Sequence, residues 1–143
     1  MGNNEKLNET YLGFIQSIIS RMAQNSFQAK AWGITIVSAL LAFYLGKDAI
    51  EIRDIILCIS CVVALLFCIL DTYYLYLERG YRHLYNIVVG IEKYNEKIKE
   101  YDLRIPKQYR GLKCYFKAFR SISTGLFYSI IGLFLLILKV VLK

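Results

Sequence analysis

The feature that most constrains the fold is a set of three apolar runs, at residues 31–45, 55–77 and 124–142. An α-helix rises 1.5 Å per residue, so ~20 apolar residues cross the ~30 Å hydrocarbon core of a bilayer. The second and third runs have that length. Phe27 and the aliphatic stem of Lys30 extend the first. With 57% apolar residues in 143, the chain is predicted to be a single all-α membrane domain with spans at 30–46, 55–77 and 121–142.

Positive charge is concentrated between the second and third runs. Residues 78–120 carry eleven Lys or Arg against five Asp or Glu, whereas three, two and two basic residues occupy the other hydrophilic stretches. Because Lys and Arg mark the cytoplasmic side of membrane proteins, the pattern predicts a cytoplasmic N-terminus and a periplasmic C-terminus. Residues 78–120 then form a basic cytoplasmic segment between two spans. Nothing in the first thirty residues has the pattern of a secretory signal.

Residues 7–29 are predicted to form an amphipathic helix. Apolar side chains recur at helical spacing, and no Pro or Gly interrupts residues 14–32, so the helix can continue into the first span. Arg21 and Asn25 fall on the apolar stripe, where polar residues fix the register between helices of an oligomer. A helix lying at the membrane interface explains the same pattern. The apolar positions are Tyr11, Phe14, Ile15, Ile18, Ile19 and Met22.

The second span is predicted to continue as one long helix from residue 55 to residue 101, well into the cytoplasm. A heptad seam with Asn95 as its polar position extends beyond the apolar run, and Pro106 ends the helix. A further amphipathic pattern over residues 107–120 indicates a helix at the membrane interface, held by anionic lipid. The seam residues are Tyr74, Leu77, Tyr81, Leu84, Val88, Ile91, Asn95 and Ile98.

Residue types that carry catalysis are sparse. His83 is the single histidine, and Cys58 and Cys61 form a CxxC pair inside an apolar helix, where cysteines are usually packing residues. No metal-ligand cluster, nucleophile relay or phosphate-binding loop is visible in the sequence. The chain is therefore predicted to be neither an enzyme nor a cofactor-binding protein.

The candidate binding residues come from charge placement. Asp71 is the one acidic residue within a predicted span, close to its cytoplasmic end. Such a charge faces a water-filled path or pairs with a neighbouring helix, for example with Lys30. Together with Asn25 and Tyr74, Asp71 is assigned to the mouth of a conduction path. Basic residues neutralise phosphates, although the same charges also satisfy the positive-inside rule with no further role. The predicted anion-binding residues are Arg21, Arg79, Arg82, Lys107, Arg110 and Lys113.

Two stretches, RMAQNSFQAKAW at residues 21–32 and LDTYYLYLERGYRHLY at residues 70–85, carry a resemblance to a known group. They resemble the small bacterial membrane effectors encoded beside nucleotidyltransferases in anti-phage defence, such as the Hailong membrane effectors. The resemblance covers about a fifth of the chain and includes no catalytic signature.

The resemblance implies a homo-oligomeric, tetrameric ion channel in the bacterial inner membrane. In that group a short single-stranded DNA made by the partner nucleotidyltransferase closes the channel, and its loss during infection depolarises the membrane and arrests growth. The alternative from the residues is a non-conducting membrane scaffold that recruits a soluble partner through its cytoplasmic coiled coil. A membrane enzyme is the third possibility, and no motif favours it.

Overall fold

A computed structural model of the protein describes residues 2–46, 50–94 and 101–141, with side chains described from residue 9 onward and not at Ile50. The described residues form helices and connections, with no strand among them. Three of the helices are long and apolar enough to cross a membrane, over Glu9–Leu45, Glu51–Val88 and Ile122–Val141. The predicted all-helical class and the three candidate spans are confirmed. The helices are α1 (Gly2–Leu45), α2 (Ile50–Val88), a 3-10 turn (Lys107–Tyr109), α3 (Leu112–Phe119) and α4 (Ile122–Val141).

The amphipathic helix and the first span are one continuous helix. α1 has 44 residues, which corresponds to a length of ~66 Å. α4, with 20 residues, is only ~30 Å long, about the thickness of the hydrocarbon core. α1 and the 39-residue α2 therefore extend beyond the depth that α4 covers.

α1 and α2 pack as an antiparallel pair with a cluster of buried side chains at each end. At one end Tyr44 and Leu57 pack with Ile131 and Leu135 of α4. At the other end Tyr11 and Ile15 of α1 pack on Leu84 of α2, and Tyr81 and Val88 flank that cluster. Part of the predicted heptad seam is thus covered by α1 of the same chain. The scaffold alternative depended on that seam as a surface for a partner.

α2 ends at Val88, so the predicted helix to residue 101 is wrong. Gly90 adopts φ +84°, a left-handed conformation that favours glycine. The Gly90 N–H donates to the Ile87 carbonyl at 3.0 Å, and the Ile91 N–H donates to the Asn86 carbonyl at 2.8 Å. These two bonds form a Schellman motif, which satisfies the last carbonyls of a helix and stops it. Asn95 and Ile98 lie outside the described residues.

Residues 101–121 run back along α2, and we call them the return segment. A Cβ built at Gly80 would lie 2.7 Å from Ile105 Cδ1, so only glycine allows this close approach. Further along, Tyr76 Oη accepts a bond from the Gly111 N–H at 3.3 Å, and Tyr115 Oη donates to the Ile69 carbonyl at 3.2 Å. The amphipathic segment predicted at 107–120 is divided at Gly111, whose φ of +111° separates the 3-10 turn from α3.

Candidate functional site

Asp71 is completely buried between α1 and α2. Its Oδ1 accepts bonds from Lys30 Nζ at 2.6 Å and from Ser26 Oγ at 2.5 Å. Ser26 and Lys30 are four residues apart, so they lie on the same face of α1. Asp71 Oδ2 is buried without a hydrogen-bond partner in the described part of the chain. Of the two roles considered for Asp71, the pairing with Lys30 is the one present within the subunit.

Asn25 and Tyr74 line one groove between α1 and α2. The groove encloses about 210 Å³ and is also lined by Gln28, Trp32 and Phe67. Asp71 contacts Ser26 and Lys30 instead and does not line this groove. The structure therefore brings together two of the three predicted mouth residues and places the third in the adjacent helix contact.

The predicted anion-binding residues are distributed over four elements: α1, α2, the 3-10 turn with the residue that follows it, and α3. Arg79 donates to the Lys117 carbonyl at 3.1 Å and to Ser121 Oγ at 2.8 Å. Arg110 donates to the Ile105 carbonyl. Both guanidinium groups therefore also hold the return segment in place. Arg82, 62% exposed, pairs with Glu78 at 2.6 Å on one face of α2. Three further members are exposed, namely Arg21 on α1, Lys107 in the 3-10 turn and Lys113 on α3.

A continuous face of α1 was missed at the sequence level. On a 3.6-residue helix, steps of three and four return to the same side, and these steps connect eight small or polar residues. The series runs through Gln24 and Gln28 to Ser38 and Ala42. We call it the polar face of α1: Ser17, Ser20, Gln24, Gln28, Ala31, Thr35, Ser38 and Ala42.

The polar face lies opposite the buried residues that contact α2, and Gln28 is at its edge toward the groove between the two helices. Ala31 is half-buried and the other seven members are exposed, whereas Ser26, Ala29, Gly33 and Val37 on the other side are buried. Large apolar side chains border the face, including Phe27 (71% exposed), Trp32 (66%) and Phe43 (66%). Arg21 precedes Gln24 by three residues, which places its exposed side chain on the same side of the helix. One guanidinium therefore stands beside the row of amides and hydroxyls.

A polar cluster joins the end of α2 to the return segment. Glu92 accepts bonds from Asn86 Nδ2 at Oε1 and from Tyr109 Oη at Oε2, both at 2.9 Å, and His83 Nδ1 lies 2.9 Å from Glu92 Oε2. The His83 and Tyr109 rings stack with centroids 3.8 Å apart. The bond from Asn86, followed by those from His83 and Tyr109, lowers the pKa of Glu92 below its usual range.

The Glu92 cluster predicts a small loss of stability in acid. Because the pKa of Glu92 is lower in the folded state, its contribution is present above the unfolded value of 4.5 and is lost as the pH falls below that value. We expect a loss of about 1 kcal/mol or less. Thermal unfolding in detergent between about pH 6 and 3 measures it. Glu92→Gln should flatten this part of the profile, and an equally steep profile in that variant would contradict the assignment.

Among the residues that the structure describes, no group of three or more His, Cys, Asp or Glu side chains is arranged to hold a metal ion. A scan of family models, a search of curated proteins and a search of solved structures found no match to this chain. Two features of the subunit bear on its function. One is the polar face of α1, and the other is the group of exposed basic side chains on α1, α2 and the return segment.

Proposed function

We propose that the protein is a homo-oligomeric ion channel in which the polar face of α1 lines the conduction path. The observation that carries the proposal is the exposure of this face in the subunit, along a helix long and apolar enough to cross a membrane. In hydrocarbon, polar groups without partners are costly, so such a face turns toward protein or water. Thr35 Oγ1 donates to the Ala31 carbonyl at 2.8 Å, but the amide of Gln28 is exposed.

A single α1 helix cannot enclose a path, so the proposal requires several subunits around an axis. Small residues on the polar face leave room for water and ions. The bordering Phe27, Trp32 and Phe43 are large and exposed, and they are the side chains that would pack between neighbouring subunits. The resemblance to the anti-phage membrane effectors favours four subunits.

At the inner mouth, Arg21 gives the proposed path its ligand site. Its side chain is on the same side as the polar face, so every subunit of a ring contributes one guanidinium near the axis. Repetition of like charges around an axis adds their fields and attracts anions. Arg82, Lys107 and Lys113 are exposed on the other elements and extend the positive surface. Asn25 and Tyr74 line the groove beside this mouth, and the Lys30–Asp71 pair holds α1 to α2 next to them.

The ligand that we propose is a short single-stranded DNA made by a partner nucleotidyltransferase. Its phosphates would bind the basic side chains and hold the channel closed, and its loss would depolarise the bacterial inner membrane and arrest growth during phage infection. A ligand that binds the closed state more tightly shifts the population toward that state. The N-terminus lies in the cytoplasm and the C-terminus in the periplasm, in line with the distribution of Lys and Arg. No catalytic role or cofactor is part of the proposal.

Currents in planar bilayers test the ligand. Short single-stranded DNA on the basic side should lower the current, and the apparent affinity should fall steeply as salt rises. Arg21→Gln should weaken the block about tenfold or more and reduce the salt slope by ~0.7 for each phosphate contact that is lost. Lys139→Gln is the matched control, because Lys139 is in the last turn of α4, at the end away from the basic segment. This variant should leave the block unchanged. Current that does not respond to DNA would remove the gating proposal while leaving conduction intact.

A further inference from the structure

A groove runs between α2 and α4, and Phe119 at the end of α3 also lines it. It encloses about 410 Å³, within the ~300–1,000 Å³ range of small-molecule sites. Small side chains on α4 create it, since Gly125, Ser129 and Gly132 recur on one face at steps of four and three. A Cβ built at Gly132 meets no atom within 4 Å, so the space beside it is open. On α2 the wall is mainly apolar and includes Cys61 and Leu65.

Two hydroxyl groups in this groove have no partner in the described part of the chain. Thr124 is completely buried, and its Oγ1 accepts and donates no hydrogen bond. Tyr128 Oη, four residues further along α4, is also buried without a partner. Both residues line the groove. Buried hydroxyl groups are nearly always hydrogen-bonded, so two of them in one apolar groove indicate a ligand that carries acceptors.

The position of the hydroxyl groups and the nearby charges define that ligand. Thr124 is the third residue of α4, and Tyr128 lies one helical turn deeper, ~6 Å along the axis. At the same end, Lys117 and Arg120 are exposed, and Phe119 between them lines the groove. Arg79 fixes this turn through its bonds to the Lys117 carbonyl and Ser121 Oγ. Positive charges therefore stand at the mouth, hydroxyl donors lie just inside, and apolar walls continue below.

We infer that the groove binds a phospholipid with an anionic headgroup, taken from the leaflet that faces the basic segment. Its headgroup would bind Arg120 and Lys117, and one acyl chain would fill the space beside Gly132. Its ester carbonyls would accept bonds from the hydroxyl groups of Thr124 and Tyr128 once these buried side chains turn toward the groove. A glycerophospholipid has these groups in the same order, from charge through ester to hydrocarbon. The inference requires that α4 crosses the membrane, but it does not depend on conduction or on a DNA ligand.

Native mass spectrometry of the full chain in detergent tests the site, with phosphatidylglycerol and phosphatidylcholine of identical acyl chains as probes. We expect phosphatidylglycerol to bind more tightly, and Arg120→Gln to reduce that preference about tenfold. Lys139→Gln, at the far end of α4, is the control and should retain the preference. The isosteric pair Thr124→Val and Tyr128→Phe should together weaken binding of both lipids about tenfold.

Thermal unfolding distinguishes a lipid from an empty groove. In delipidated protein, the Thr124→Val and Tyr128→Phe double variant should be at least as stable as the parent, because it removes two unpartnered groups. Added phosphatidylglycerol should raise the Tm of the parent much more than that of this variant. Gly132→Leu should abolish the lipid-induced rise by filling the groove. Equal rises in Tm in all variants would overturn the inference. It would also be overturned if Gly132→Leu changed the number of subunits and left lipid binding unchanged, because the occupant of the groove would then be a second copy of the chain.

Discussion

Ser38→Trp is expected to reduce ionic current about tenfold or more, since a large apolar side chain on the polar face would narrow and dewet the path in every subunit. Thr35→Trp should have the same effect one turn nearer the basic end. Both positions are exposed on α1 and contact neither α2 nor α4 in the described clusters. Loss of current would therefore not require any loss of subunit folding. Single-channel recordings of purified protein in planar bilayers give the measurement.

The matched control is Leu133→Trp. Leu133 is 58% exposed on α4, and its neighbours Ile131 and Leu135 pack with Val37 of α1, which places it at the depth of Ser38. This variant should conduct like the parent. Size-exclusion profiles should match for all three variants. Currents of parental size through properly assembled Ser38→Trp protein would show that the polar face does not line the path.

Lys30→Met is expected to destabilise the α1–α2 pair by about 3–5 kcal/mol. The substitution removes the ammonium group that compensates the completely buried Asp71 carboxylate, and an unpaired buried charge is far costlier than a missing pair. Ser26 Oγ still donates to Asp71 Oδ1, but a hydroxyl does not replace the opposite charge. Thermal or denaturant unfolding in detergent, followed by circular dichroism, measures the loss.

A double substitution separates the charge from the contact. Lys30→Met combined with Asp71→Leu replaces the ion pair by apolar groups, and buried pairs replaced in this way are often as stable as before. We therefore expect the double variant to recover most of the loss. Arg82→Met is the control for removing a cation at an exposed position: the Arg82 side chain is 62% exposed, although that of its partner Glu78 is only 10% exposed, so we expect a smaller loss than for Lys30→Met. A Lys30→Met loss no greater than that of Arg82→Met would contradict the buried-pair assignment.

Much of the fold follows from sequence periodicity. The apolar runs locate the three candidate spans because length and hydropathy are local properties of the chain. The continuity of α1 follows in the same way from the absence of helix breakers between Phe14 and Trp32. The Lys30–Asp71 pair could also be anticipated, since a charge inside a span needs a partner and few are within reach.

The end of α2 could not be obtained from the same rules. The heptad pattern predicts a helix that continues past Gly90, whereas Gly90 closes the helix as the C′ residue of a Schellman motif. That choice depends on tertiary contacts, since Glu92 just beyond the turn bonds to Asn86, and Tyr109 of the return segment bonds to Glu92. A local helix pattern contains no information about these partners.

The candidate site was recovered only in part for a similar reason. Charge placement identifies Arg79 and Arg110 as cations, but it does not reveal that both donate to carbonyls of the return segment. The polar face of α1 was available in the sequence as a series of small and polar residues at helical spacing. It becomes informative only when the opposite side is known to pack against α2, because burial on one side shows which side is left exposed.

Cysteine accessibility along α1 tests the proposed conduction path most directly. In a variant with Cys58, Cys61, Cys68 and Cys114 replaced by alanine, single cysteines would be introduced at Gln28, Thr35 and Ala42, each seven residues apart, and at Leu133 as the lipid-facing control. A charged, membrane-impermeant thiol reagent should modify the three α1 positions and change the current, and should leave the Leu133 position unmodified. Unreactive cysteines at all three α1 positions in conducting protein would contradict a path along the polar face.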